Sequence, residues 1–192
     1  MPVKDDLKEF LLQFHTVEAG DLEEYLSFWQ PFTAPKKTVL TAPGEVEKYL
    51  YFVIEGIQKS YYMHQNKANI MFFAYPPSFS GVMESFFTQS PSRYYLETIT
   101  DSQFLRIPFS RHEAILSESP TLNSLFRKLT EKLLSGVIER HHELLTFNAE
   151  TRFRTFAQRS PHLFNLVSQK DLAAYLRIDP TNFSKLMNRI GL

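Results

Sequence analysis

The chain contains no cysteine, which excludes disulfides, thiolate nucleophiles, zinc-finger sites and cysteine-held iron–sulfur clusters. No apolar run approaches the ~18 residues that cross a bilayer. The start, Met1-Pro2-Val3-Lys4-Asp5-Asp6, has no apolar signal core. A soluble, cytoplasmic protein with no membrane partner is expected. Gly-Xaa-Ser-Xaa-Gly, P-loop and dinucleotide fingerprints are missing as well. Of the six histidines, at 15, 64, 112, 141, 142 and 162, only His64 falls in the strand-like region. A metal-dependent barrel enzyme needs His and carboxylate ligands clustered there. The adjacent pair His141-His142 faces two ways on a helix, unlike a chelating i, i+4 pair. No catalytic residue and no metal site is assigned. A cupin-like enzyme is the rival that metal analysis tests.

Net charge is the last absence, with 21 Lys and Arg against 21 Asp and Glu. The zero conceals an asymmetry. Residues 1–150 hold 14 Lys and Arg against 19 Asp and Glu, whereas 151–192 hold seven cations (Arg152, Arg154, Arg159, Lys170, Arg177, Lys185, Arg189) against Asp171 and Asp179. A small basic unit on an acidic body is the layout of a nucleic-acid-binding module. What the chain does have is 18 Phe and 9 Tyr among 192 residues, enough apolar bulk for one large domain or two modest ones.

Helical spacing opens the chain, with Leu7, Phe10, Leu11 and Phe14 in one stretch and Leu22, Tyr25, Leu26 and Trp29 in another. Asp21 stands at the front of the second, where a carboxylate suits a helix N-terminus. Between about 32 and 109 the pattern changes to short apolar runs at 38–41, 49–54, 58–63, 70–75, 94–99 and 104–107. Turn signals separate them: Ala42-Pro43-Gly44, Glu55-Gly56, Gln65-Asn66-Lys67, Pro76-Pro77 and Ser90-Pro91-Ser92. Six or more short strands at this spacing predict an all-β barrel or sandwich, with Gly56 supplying positive φ in a hairpin turn. Pro120 then opens a long helix over 120–147, on which Leu122, Phe126, Leu129, Leu133, Gly136, Arg140 and Leu144 fit a rough 4-3 seam. The seam predicts a homodimer; packing on the chain's own β-domain is the alternative.

The last 42 residues are helical again. A helix is predicted over 151–158. Ser168-Gln169-Lys170-Asp171 has the form of a capping box opening a second helix to Leu176. Asp179-Pro180, an N-cap acid followed by Pro at the first helical position, opens a third over 181–189. Two helices joined by Arg177-Ile178 are the skeleton of a helix-turn-helix. Its interior would be Leu172, Ala173, Leu176, Ile178, Phe183, Leu186 and Met187. The other face would present Thr181, Asn182, Ser184, Lys185, Asn188 and Arg189, hydrogen-bonders and cations of the types that meet base edges and phosphates. Ser168, Gln169 and Arg177 complete the candidate DNA surface.

Residues 166–190, Leu-Val-Ser-Gln-Lys-Asp-Leu-Ala-Ala-Tyr-Leu-Arg-Ile-Asp-Pro-Thr-Asn-Phe-Ser-Lys-Leu-Met-Asn-Arg-Ile, resemble the helix-turn-helix of the Crp/Fnr (cyclic-AMP receptor protein/FNR) superfamily. Tyr49-Leu-Tyr-Phe-Val-Ile-Glu-Gly56 is similar to its β-roll hairpin, and Glu97-Thr-Ile-Thr-Asp-Ser102 to a later strand and turn. The resemblance implies an α+β bacterial regulator. Its parts are a β-roll effector domain with flanking helices over 1–118, a dimerisation helix over 119–148 and a C-terminal (winged) helix-turn-helix over 149–192. The implied partners are double-stranded DNA with a palindromic operator, a second copy of the chain, and RNA polymerase. An effector in the roll would shift how the long helices pair, and so the spacing of the recognition helices.

The departures from the family pattern carry information. The family has Gly at the turn where this chain has Arg177, and a left-handed backbone there costs roughly 1 kcal/mol for a non-Gly residue, so a remodelled turn is expected. Arg and Glu near the start of the recognition helix are replaced by Pro180 and Thr181. Only Gly191 and Leu192 come after Ile190, so an absent or vestigial wing is expected. The family's phosphate-binding cassette is Phe-Gly-Glu, a short helix, then Arg-Ser/Ala-Ala; the Glu takes the ribose hydroxyl, and the Arg with backbone amides neutralises the cyclic phosphate. The corresponding stretch here is 79–97. Val82 follows Gly81 where the ribose Glu belongs, unless Glu84 substitutes from the next turn. Ser92 aligns with the Arg, while Arg93 lies beside it with Tyr94 and Tyr95 after it. Gly81, Val82, Glu84, Ser92, Arg93 and Tyr95 are the candidate effector residues; cyclic nucleotide is not expected among them, and no other cofactor is assigned. A non-DNA-binding sensing or interaction protein with a degenerate helix-turn-helix is the first rival.

Overall fold

The computed structural model describes residues 2–190. Its described residues divide into two compact units, one of residues 2–60 with 73–133 and the other of 61–72 with 134–190.

Two helices, α1 (Pro2–Leu12) and α2 (Ala19–Ser27), precede eight strands: β1 (Gln30–Ala34), β2 (Val39–Thr41), β3 (Tyr49–Glu55), β4 (Gln58–His64), β5 (Lys67–Ala74), β6 (Ser78–Ser80), β7 (Tyr95–Thr98) and β8 (Ser102–Pro108). A short helix, α3 (Met83–Thr88), lies between β6 and β7. The strands form two four-stranded sheets, ordered β1-β8-β3-β6 and β2-β7-β4-β5. This is the expected β-roll. The runs read from sequence are all strands. The two that were missed, β1 and β6, are edge strands, one carrying Pro31 and the other three residues long, so neither shows an apolar alternation. Gly56 has φ 94°, and a Cβ there would sit 2.3 Å from Ser102 Oγ. Both the turn and the close approach of β8 therefore exclude a side chain.

Five core side chains come from the opening helices: Leu7 and Leu11 of α1, and Leu22, Tyr25 and Leu26 of α2. They pack with Trp29, Phe52, Phe86, Leu105 and Ile107. Two further helices come next, α4 (Phe109–Glu118), which sequence reading did not find, and α5 (Pro120–Thr146). The first part of the expected dimer seam belongs to this core. Leu122, Leu125 and Phe126 are buried in it, with Leu129 packed at its margin, and the Phe126 ring lies 4.7 Å from His112 and 5.5 Å from Tyr25. Each such side chain contributes about 1.5–3 kcal/mol by leaving water, which the folded chain already gains without a partner. Leu122, Phe126 and Leu129 are therefore core residues rather than an open seam. Further along α5, Leu133, Leu134, Val137 and Ile138 are exposed.

In the second unit α5 leads into α6 (Ala149–Arg159), α7 (Leu163–Leu166), α8 (Gln169–Leu176) and α9 (Pro180–Ile190). Asn148 caps α6, its Oδ1 accepting from the Thr151 N–H at 2.9 Å. Gly191 and Leu192, and with them the expectation about a wing, lie outside the described residues.

Candidate functional site

The helix-turn-helix is assembled by its caps and its aromatic interior. Ser168 Oγ accepts from the Asp171 N–H at 3.1 Å and starts α8. Asp179 Oδ1 accepts from the Thr181 N–H at 2.9 Å and the Asn182 N–H at 3.3 Å, and starts α9. Leu172, Ala173, Leu176, Ile178, Phe183, Leu186 and Met187 are all buried. Phe183 lies between Phe153 of α6, at 5.3 Å, and Phe164 of α7, at 6.4 Å with the rings nearly parallel. The expected interior is the observed one. Ser168, Gln169, Arg177, Thr181, Asn182, Ser184, Lys185, Asn188 and Arg189 are all exposed.

The turn is not remodelled. Arg177 takes the left-handed conformation, φ 54° and ψ 45°, as the C-cap of α8, and the Ile178 N–H donates to the Ala173 carbonyl at 3.0 Å. Arg152 offsets the strain. Its Nε donates to the Leu176 carbonyl at 2.8 Å, one terminal nitrogen donates to the Arg177 carbonyl at 3.1 Å, and the other reaches the Phe147 carbonyl. One guanidinium thus satisfies the carbonyls that a helix end leaves open. The Arg177 side chain donates to Asn69 Oδ1 at 2.8 Å, Asn69 belonging to the hairpin segment of the same unit.

Charge on this unit is less free than its cation count implies. Glu150 accepts from Arg154 Nε at 3.0 Å and also pairs with Arg189. Arg154, then Arg189, holds the Glu150 carboxyl below its ordinary value. Glu150, Asn182, Lys185 and Arg189 line an open cleft of about 390 Å³ beside the recognition helix. Glu143, nearly fully buried, pairs with Arg140 at 3.1 Å and Arg159 at 2.9 Å. Arg140 also donates to the Tyr175 carbonyl and lies 4.2 Å from the Tyr175 ring centroid. Arg140, read as part of the seam, is therefore an internal tether of this unit. Gly136, by contrast, has open space where a Cβ would stand. These ion pairs join residues brought together by folding or lie one helical turn apart, and the charge count alone does not disclose them.

The effector candidates separate in the roll. Glu84 and Arg93 meet in an exposed ion pair at 2.7 Å. Tyr95 is half-buried on β7. Gly81, with φ 148°, Val82 and Ser92 are buried. The Ser92 hydroxyl is turned to the Tyr94 carbonyl, at 2.8 Å. A residue that sequence reading passed over stands among them. Glu47 is 1% exposed and accepts from the Thr41 hydroxyl at 2.7 Å, the Val82 N–H at 3.2 Å and the Tyr49 N–H at 3.3 Å. Its own N–H donates to Ser85 Oγ at 2.9 Å. Burial pushes the Glu47 carboxyl above its ordinary value, and the hydrogen bonds only partly pull it back. Glu47 is thus internal, whereas Glu84 and Arg93 pair with each other on the outside.

Among the described residues no cluster of His, Asp and Glu is arranged to hold a metal ion, and no helix is long and apolar enough to cross a membrane. Comparison with curated proteins gives no match. Residues 31–119 match the cyclic nucleotide-binding domain family. Among solved structures, FixK2 from Bradyrhizobium japonicum aligns with TM-score 0.69 at 20% identity, over 85% of this chain and 84% of that one. The c-di-GMP responsive global regulator CLP of Xanthomonas campestris aligns with TM-score 0.64 at 18% identity, over 91% and 92%. The catabolite activator protein of Thermus thermophilus aligns with TM-score 0.57 at 16% identity, over 93% and 85%. At these identities the likeness is one of fold. Residues 31–119 thus resemble a cyclic nucleotide-binding domain, and the chain shares its fold with FixK2, CLP and the catabolite activator protein.

Proposed function

We propose that this chain is a homodimeric, sequence-specific DNA-binding transcription regulator of the Crp/Fnr type. The observation that carries the reading is the α8–turn–α9 unit. Its apolar face is buried throughout, its polar face from Thr181 to Arg189 is exposed, and its turn is held in the left-handed geometry at Arg177. In this docking mode the first turns of the recognition helix reach base edges, so Asn182 and Lys185 read sequence, as to adenine N6/N7 and guanine O6/N7. Ser168, Gln169 and Asn188 flank them toward the backbone. The exposed Leu133, Leu134, Val137 and Ile138 support pairing of α5 with its copy, with Gly136 permitting close approach.

The test is selection of bound DNA from a random duplex library. A palindromic site is the expected outcome, with affinity that falls steeply with salt. Selection that enriches no sequence, together with binding that salt leaves unchanged, overturns the reading in favour of a protein that does not bind DNA. Val137→Asp with Ile138→Asp is expected to give a monomer by light scattering while the roll stays folded; a persisting dimer removes α5 from the interface.

A further inference from the structure

We propose that Glu47 fills the anionic subsite of the roll's cassette as a built-in ligand, so that this domain takes no cyclic nucleotide. The inference rests on the domain assignment and is independent of DNA binding, so either can fail alone.

Three observations meet at one place. The Val82 N–H, at the N-cap of α3, donates to Glu47 Oε2 at 3.2 Å. The same oxygen accepts from the Thr41 hydroxyl at 2.7 Å, so β2 and the entry to α3 close on one carboxyl group. Around it Ser85 Oγ accepts from the Glu47 N–H and donates to the Ser90 carbonyl at 2.6 Å, while Gln89 Nε2 reaches the Glu47 carbonyl at 3.4 Å. Glu47, Val82, Ser85 and Ser92 are each 5% exposed or less. Glu47 is therefore fixed from β2, from Tyr49 of β3 and from both ends of α3.

The chemistry explains why the guanidinium is gone. A cyclic phosphate is a diester that stays anionic at any pH near neutral, and burying it without a cation is prohibitive. A carboxyl group sheds its charge by taking a proton, and burial favours the neutral form. A site filled by Glu47 needs donors but no guanidinium, and Ser92 stands where that guanidinium would be. Arg93, the nearest cation in sequence, is outside on Glu84. The replacement of the cationic residue and the arrival of an internal acid are two halves of one change.

The test has an arm that needs no variant. Full-length protein titrated with cyclic AMP is expected to give no binding heat and no movement of the Val82 amide resonance; heat with a displaced Val82 resonance overturns the proposal. In a second arm, Glu47→Ala leaves a carboxyl-sized space beside the Thr41 and Val82 donors. Formate is expected to raise the melting temperature of this variant and not that of the wild type or of Glu47→Gln; an equal effect on all three, or on none, overturns it. In a third arm, Ser92→Arg alone is expected to leave cyclic AMP binding undetected, because Glu47 takes the guanidinium. Ser92→Arg with Glu47→Ala is expected to bind at least about tenfold tighter, the size of one charge-assisted contact. Equal affinities for the single and double variants, weak or tight, overturn the proposal.

Discussion

The roll and the C-terminal unit treat their polar groups in opposite ways. In the roll an acid is buried without a cation, on hydroxyl and amide donors, while the charged residues of the cassette, Glu84 and Arg93, sit outside. In the C-terminal unit the apolar side chains are inside and the polar face is outside, as a helical repeat prescribes. The difference teaches where a sequence is readable. A helix shows its burial in a local period, so Leu172, Leu176, Phe183 and Leu186 could be assigned from spacing alone. The cassette is built from contacts 6 to 38 residues apart, as between Glu47 and Thr41, Val82 or Ser85, and no period marks them.

The largest expected effect tests the C-terminal half of this contrast. Phe183→Ala should destabilise that unit by about 3–5 kcal/mol, since the ring is fully buried between Phe153 and Phe164. Urea unfolding monitored separately in the two units checks it. A loss under about 1 kcal/mol means that the recognition helix is not positioned by this ring.

The roll should respond to pH. His112 shares a hydrogen bond with the Tyr25 hydroxyl at 2.9 Å and otherwise faces the Phe86 and Phe126 rings, and burial pushes its imidazole down to about 4. The unfolded chain takes up this proton through about 6.5, whereas the folded chain holds it off until about 4. Stability from this group is therefore complete above about 6.5 and falls as pH drops toward 4, by up to about 3 kcal/mol. His112→Gln should flatten that fall in denaturation curves taken across the range. An unchanged slope assigns it elsewhere.

A smaller effect separates two cations of the recognition helix. Lys185→Ala should cost roughly 1–3 kcal/mol on the selected site and relax one base-pair preference per half-site. Arg189→Ala should weaken binding to all sequences alike, and by less than a free cation would, because Glu150 already holds Arg189. Glu150→Gln should accordingly strengthen binding to random DNA. If Lys185→Ala weakens matched and random DNA by one factor, its base-reading role falls. The smallest effect is at the turn, where Arg177→Gly relieves a left-handed backbone but adds freedom to the unfolded chain. A net gain below about 1 kcal/mol in thermal unfolding is expected; a net loss places the greater weight on the bond to Asn69.

Much of the fold was legible in the sequence: the opening helices, the strand runs, the Gly56 turn, both caps of the helix-turn-helix and its interior. The seam on α5 was legible as apolar spacing but not as partner choice. Leu122 and Phe126 carry the same pattern whether they meet a second helix or their own sheets, and only the three-dimensional packing of Tyr25, Phe79 and His112 around Phe126 decides. Arg177 reads as an obstacle to the turn because sequence does not show that Arg152, 25 residues before it, reaches its carbonyl.

That reach of Arg152 has a consequence for how such chains diverge. By gripping the carbonyls of Leu176 and Arg177 through backbone atoms alone, it fixes the corner between the two helices whatever side chain stands at 177. The glycine requirement at that corner becomes a preference, and the position is released to neutral drift. In a library of all residues at 177, a chain with Arg152 intact should tolerate most replacements, and the same library on Arg152→Ala should narrow to glycine and asparagine.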